Sequence, residues 1–338
     1  MNSRIALSIG DMNGIGPEVI LKSLQNTKLP FTPVILGSAS IIDYYKRILG
    51  IRLDYHYISS VGEIEDGKVN LLEILDEEEV DLKPGEISDE AGHIAMQAVA
   101  RGVELCINER ASALVTAPLS KKAISLAGYH VPGHTEYLAE KTGSTEYMMI
   151  MVNEGLRVGL ATIHIPLKRV VPLLNKPNIT RFIRIMNHSL KADFDIGEPR
   201  IAVLGVNPHA SDGGVIGTEE EALIEPALKN VQMDGIKAEG PFAADGFFGN
   251  RTYEKFDGIL AMYHDQGLIP FKTLSFNKGV NFTAGLPFIR TSPDHGTAFD
   301  IAGTNQASPE SFKIAMNQAY ELVQNRRKNE KHNPRKTV

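Results

Sequence analysis

Short aliphatic and β-branched runs recur along this chain, separated by longer segments in which apolar residues return every three or four positions. The strand candidates are RIALSIG (4–10), TPVILG (32–37), ALVTAP (113–118), YMMIMVN (147–153), RVGLATIH (157–164), RIAVLGVN (200–207) and DGILAMYH (257–264). Helical periodicity covers 16–26, 39–49, 89–108, 119–127, 134–141, 167–173, 178–191, 218–231 and 308–325. A parallel strand needs a crossover to reach its neighbour, and a helix is the usual one. The alternation therefore predicts an α/β fold with a largely parallel sheet covered on both faces. One pair departs from it: MMIMVNEGLRVGLA can close as a hairpin around Asn153–Gly155, which would make the sheet mixed. Ser88 or Asp89 can cap helix 89–108, and Thr218 with Glu221 three residues on has the form of a capping box.

Composition narrows the function classes. With 338 residues, 43% hydrophobic and 22% charged, the chain has the make-up of a soluble globular protein with a large core. A net charge of −6 argues against a general nucleic-acid binder, while a local basic pocket for an anionic metabolite stays open. The single cysteine, Cys106, cannot form an internal disulfide, sits in a helical apolar pattern and reads as a core thiol in a reducing compartment. MNSRIALSIGDMNG carries only a short apolar segment, so no signal peptide is expected, and no run reaches the ~18 apolar residues of a membrane span. A cytoplasmic protein without membrane or nucleic-acid partners is expected. The basic stretch NRRKNEKHNPRKTV (325–338) has no apolar face and reads as a solvated tail, disordered from 326 onward.

Three strand candidates lead to a histidine: RVGLATIH to His164, RIAVLGVNP to His209, and DGILAMY to His264. In open α/β sheets, ligands bind beyond the carboxyl ends of the strands. A single strand-end histidine is most often a hydrogen-bonding structural residue; three delivered to one edge also suit a divalent ion with positions left open for substrate. Asp265 and Asp212 are close enough in sequence to orient imidazoles. A second set suits an anion. Lys272, Asn281 and Arg290 follow His264 in segments containing Gly and Pro, and GHTEYLAE places His134 and Thr135 at a helix start, where free N–H groups favour phosphate or carboxylate. Taken singly, these cations read as ordinary surface charges. The opening SIGDMNGIGPEVILKSL follows a strand and starts a helix, yet its spacing does not match G-x-G-x-x-G.

Together, GDMNGIGPE (10–18), TAPLSK (116–121), GHTEYLA (133–139), ATIHIPL (161–167), VNPHA (206–210), GTEEE (217–221), GPFAAD (240–245), MYHDQGLIPFK (262–272) and SPDHGTAFDIAGT (292–304) resemble the 4-hydroxythreonine-4-phosphate dehydrogenase family of pyridoxal phosphate biosynthesis. The first and last of these also resemble the isocitrate/isopropylmalate dehydrogenase-like superfamily, which binds NAD(P) without the Rossmann fingerprint. The resemblance implies a two-lobed α/β/α fold with an active-site cleft between lobes. Lobe one would be 1–132 plus 295–325 and lobe two 133–294. It implies one divalent ion per subunit (Zn, Mg or Co) on His164, His209 and His264, and substrate binding by His134, Thr135, Lys272, Asn281 and Arg290. His295 and Gly296 would hold NAD or NADP, and the site would lie at the interface of a homodimer. His134, Asp245 and Lys272 are the catalytic candidates, although a structural hydrogen bond serves equally well for Asp245.

The reaction implied is oxidation of the C3 hydroxyl of 4-phosphohydroxy-L-threonine followed by loss of CO₂, giving 3-amino-2-oxopropyl phosphate. Two departures from the family pattern touch the site: NPHASDGG where NPHAGE is usual, and PFAADGFFG where PxPADT is usual. They bear on the substrate more than on the reaction type. The rival readings are a paralogue acting on threonate or erythronate 4-phosphate, a phosphate acyltransferase of related fold, and a non-catalytic metabolite binder.

Overall fold

The structure, a computed structural model, describes residues 3–75, 80–131, 133–276 and 278–332. In chain order the first strands are β1 (Arg4–Ser8), β2 (Thr32–Gly37), β3 (His56–Ile58), β4 (Asn70–Glu73), β5 (Ala113–Thr116) and β6 (Met148–Asn153). They are followed by β7 (Leu156–Leu160), β8 (Arg200–Leu204), β9 (Lys237–Phe242), β10 (Gly258–Ala261), β11 (Val280–Ala284) and β12 (Ile289–Pro293). The helices are α1 (Gly16–Leu24), α2 (Ala39–Leu49), α3 (Asp89–Ile107), α4 (Lys121–Leu126), α5 (His134–Thr142) and α6 (Val170–Leu173). After these come α7 (Lys176–Ala192), α8 (Glu225–Met233), α9 (Ala244–Gly249), α10 (His264–Ser275) and α11 (Glu310–His332). Among the described residues no helix is long and apolar enough to cross a membrane.

The chain divides into two compact units, Met1–Ser144 with Leu286–Val323, and Thr145–Gly285 with Gln324–Val338. The first has strand order β3-β4-β2-β1-β5-β12, every pair parallel. Strands β1, β2 and β5 are buried on both faces (β2 from end to end), which is why they read as unbroken apolar runs instead of alternating ones. Ser88 caps α3, its Oγ accepting from Ala91 N at 3.1 Å. Cys106 is buried in that helix. The resemblance placed the lobe boundaries at 132/133 and 294/295; the structure has them at 144/145 and 285/286. Helix α5 packs on α3 and β12 pairs with β5, so His134, Thr135 and Arg290 belong to the first unit.

The second unit has the order β11-β6-β7-β10-β8-β9. Strands β7, β10, β8 and β9 run parallel, while β11 and β7 both lie antiparallel to β6. The hairpin alternative at 153–155 is therefore the one adopted, turning at Glu154 (φ 37°) and Gly155 (φ 102°). Phe247, Phe256, Phe271 and Ile259 are central to its core.

Three sequence expectations change here. Strand 257–264 stops at Ala261, and His264 opens α10, a helix concealed in the sequence by Gly267 and by Pro270 inside it. Lys272 therefore stands on a helix, not in a loop. Glu221 forms no capping box: the helix opens with one wide turn, Glu220–Ile224, which brings Glu220 inward instead. The tail is not frayed from 326, because α11 continues to His332. Its polar residues meet the end of α7, where Asn329 Nδ2 donates to Lys191 O and Ala192 O, Asn325 Nδ2 to Asp193 O, and Arg326 Nε to Asp193 Oδ1 at 2.8 Å. The asparagine bonds satisfy carbonyls that a helix end leaves open. Residues 333–338 lie outside the described residues.

Candidate active-site residues

In the second unit, β7, β10 and β8 are sheet neighbours running the same way, so their carboxyl ends share one edge. Strand register fixes the spacing of the groups at that edge. Ala261 pairs with Leu160, Ala161 N donates to Ala261 O at 2.8 Å, and Thr162 Oγ1 donates to Met262 O at 2.8 Å. The two chains are thus still abreast when each delivers an imidazole two residues later. His164 and His264 emerge with ring centroids 5.8 Å apart. Asp265 Oδ1 lies 2.7 Å from His264 Nδ1, which fixes that ring and leaves its other nitrogen as the donor for a ligand.

His209 leaves β8 through the turn Pro208–Asp212, where His209, Ala210, Ser211 and Asp212 all have positive φ (53°, 49°, 68° and 48°). Left-handed backbone costs an L-residue about 1–2 kcal/mol, so the turn must be held from outside. Glu220, 1% exposed, does part of this: its carboxylate accepts from Val206 N and Asn207 N, both at 2.7 Å, and from Asn207 Nδ2 at 2.9 Å. Burial alone would raise its pKa, but these hydrogen bonds bring it below the ordinary glutamate value. Among the described residues, no three His, Cys, Asp or Glu side chains of one chain stand close enough to hold a metal ion. The pair His164 and His264, with a carboxylate behind the second, is a donor set that suits one, with His209 on the adjoining strand end.

Lys272 is exposed two turns along α10, about 12 Å from His264 by helical rise. That separation suits the remote phosphate of a substrate better than its reacting carbon. Asn281 Oδ1, on β11, is buried with no hydrogen-bond partner, as a ligand contact would be in the free protein. Asp245 is exposed in the first turn of α9, and Asp212 is exposed in the His209 turn.

The first unit holds the remaining residues expected to meet an anion, His134, Thr135 and Arg290. Arg290 is 2% exposed on β12, and its Nη2 donates to Thr116 Oγ1 at 2.7 Å, at the end of β5. Burial pushes its pKa down to about 10, against the favourable charge of Glu136. Ser8, in register with Thr116, has a buried hydroxyl without a partner. His134 is the first residue of α5, and Thr135 beside it is buried. Burial first, and the charge of Arg290 second, push the His134 imidazole well below 6.5, so it is neutral at pH 7, and its Nε2 is buried without a partner.

The two superfamily-like stretches meet in this unit: Ile15 N donates to Thr297 O at 2.9 Å, and a Cβ on Gly14 would stand 2.9 Å from the same oxygen. His295 has a buried, unpartnered Nε2 and a pKa lowered mainly by burial, while Gly296 faces open space. An imidazole held at Nδ1 by Gly296 O, with Nε2 left unpartnered beside open backbone, fits a nucleotide. Sequence reasoning did not single out Thr116, Glu220 or Asp11, and it marked Gln266 at the strand end without giving it a role. Thr116, Glu220 and Gln266 sit inside family-like stretches, but a hydroxyl, carboxylate or amide carries no sign in sequence of the backbone it will hold.

The pyridoxal phosphate biosynthetic protein PdxA family model matches residues 30–319. A 4-hydroxythreonine-4-phosphate dehydrogenase of Prosthecochloris aestuarii is 46% identical over 330 residues, covering 95% of this chain and 97% of that protein. Its namesake in Bacteroides thetaiotaomicron is 43% identical over 328 residues, covering 96% and 90%. Among solved structures, 4-hydroxythreonine-4-phosphate dehydrogenase from Klebsiella pneumoniae aligns with a TM-score of 0.86 at 40% identity, over 96% of this chain and 99% of that one. Likeness of this extent leaves one assignment: the chain belongs to the family of the pyridoxal phosphate biosynthetic protein PdxA.

Proposed function

We propose that the protein oxidises 4-phosphohydroxy-L-threonine at C3 with NAD, on the route to pyridoxal 5′-phosphate, and that the resulting β-keto acid loses CO₂ to give 3-amino-2-oxopropyl phosphate. The observation that carries this reading is the likeness, over nearly the whole chain, to dehydrogenases named for that substrate. When bound, NAD supplies the hydride acceptor and a divalent ion supplies stabilisation of the negative charge that develops on the substrate oxygen. His164, His209 and His264 would hold the ion, with ligands shared between the subunits of a homodimer, and His295 and Gly296 would meet the nucleotide.

The remaining roles fall to this chain's own side chains. Arg290, buried beside the Thr116 hydroxyl, presents a fixed guanidinium to one anionic group of the substrate. Lys272 and Asn281 take the other end. His134 is kept neutral mainly by burial and secondly by Arg290; an anion at Arg290 offsets the second part, so His134 gains some basicity as substrate arrives and can take the hydroxyl proton. Asp245 pairs with the substrate ammonium or moves a proton, while Lys272, two helical turns from His264, serves the phosphate end and not proton transfer.

A chelator-stripped sample assayed by NADH absorbance tests this. With Zn, Mg or Co restored, 4-phosphohydroxythreonine should give NADH, and without metal it should not. NADH from threonate 4-phosphate alone would transfer the chain to the paralogous reaction. Full activity after chelation would remove the metal from the mechanism. Running NADP beside NAD and measuring mass by sedimentation settle cofactor preference and dimerisation.

A further inference from the structure

Imidazoles carried two or more residues beyond their strands keep their spacing only if the strand ends stay in step. On one side the Thr162 hydroxyl ties the β7 end to Met262 O. On the other side the link is Gln266, in the first turn of α10. Its Oε1 accepts from Met262 N at 2.7 Å, and its Nε2 donates to Gly205 O at 2.5 Å. One side-chain amide thus closes the end of β10 and the end of β8 together. The two backbone groups need an acceptor and a donor on the same short fork, which a primary amide provides and a carboxylate or aliphatic chain does not.

Gly205 is itself hemmed in. A Cβ there would stand 3.0 Å from Ala210 Cα and 3.1 Å from Glu220 Oε1, so the carbonyl that Gln266 grips belongs to backbone already packed against the His209 turn. We infer that Gln266 is a positioning residue: its amide fixes the helix start bearing His264 against the strand end that leads into His209. The inference rests on the reading of these histidines as ligands of a divalent ion, and Gln266 acts through them.

The test uses the full-length protein, stripped of metal and titrated with Co²⁺ alone, monitored by visible absorption. Gln266→Leu keeps the length and removes both hydrogen bonds; Gln266→Glu keeps the acceptor for Met262 N and removes the donor to Gly205 O. Gln232→Leu is the control for a lost amide bond elsewhere in the unit, since Gln232 Nε2 donates to Ala238 O at 2.8 Å. Outer partners of metal ligands typically govern affinity by about 10- to 100-fold. Gln266→Leu should lose that much affinity with a changed cobalt spectrum, Gln266→Glu should also weaken, and Gln232→Leu should match the parent. Imidazole ¹H–¹⁵N resonances of His209 and His264 in the metal-free variants give a second readout and should move in Gln266→Leu. A parent protein that takes up no Co²⁺ would sink the divalent-ion reading and leave the resonances to decide. Resonances unchanged in Gln266→Leu, or cobalt affinity no lower than in Gln232→Leu, overturn the role of Gln266.

Discussion

A guanidinium with almost no contact with water has to be held by polarity that the chain itself supplies, and for Arg290 the Thr116 hydroxyl is one source. A hydrogen bond to a charged group contributes about 1.5–3 kcal/mol. Thr116→Val keeps the shape and removes the acceptor, so KM for the phosphorylated substrate should rise about tenfold or more, with kcat altered less; steady-state kinetics would show the split. Asp11 makes a separate prediction. It is fully buried, one carboxylate oxygen lacks a partner, and burial raises its pKa from 3.8 to about 6 although the Asn13 and Gly14 amides pull the other way. The native state therefore keeps a proton that the unfolded chain has lost. The stability this gives is complete below pH 3.8 and disappears as pH rises through about 6, a swing on the order of 3 kcal/mol. Asp11→Asn should flatten that slope, so urea melts between pH 4 and 7 should show the variant gaining on the parent as pH rises. A constant difference across that range would mean Asp11 titrates normally.

Elements were legible in the sequence wherever one rule governed them. Parallel strands buried on both faces announce themselves as apolar runs, and all seven strand candidates coincide with observed strands. Three of them also led to the histidine-bearing edge, because a strand's end is visible in its own pattern. What lay hidden depended on partners remote in sequence. Nothing local reveals that β10 and β7 pair with an offset that sets His264 beside His164, or that the His209 turn is left-handed. Helix α10 was masked by Gly267 and Pro270, β3 has only three residues, and β4, β9, β11 and β12, also absent from the candidates, carry polar residues among their apolar ones. The basic end of the chain misled for a related reason: residues that look solvated by composition are taken up by the carboxyl end of α7. Arg326 meets Asp193, whose side chain is 3% exposed, and Ser189 Oγ donates to its other oxygen at 2.7 Å. Removing one partner of such a pair leaves a buried charge, so Arg326→Ala should cost up to about 3 kcal/mol in urea unfolding. A loss below about 0.5 kcal/mol would class the contact with ordinary surface ion pairs.

At the scale of the whole molecule, neither unit is a continuous piece of chain. The first takes β12 and most of α11 from residues after Leu286, and the second recovers the last turns of α11 from Gln324 onward. Boundaries of this kind are poorly legible because a chain that leaves a unit and returns shows no linker at either crossing; 144/145 and 285/286 lie in ordinary sequence. The discontinuity has a consequence for how the protein comes into being. A ribosome has synthesised the entire stretch 145–285 before the strand bearing Arg290 exists, so the nascent first unit waits, one strand short and without its buried cation, while the whole of that inserted stretch is made.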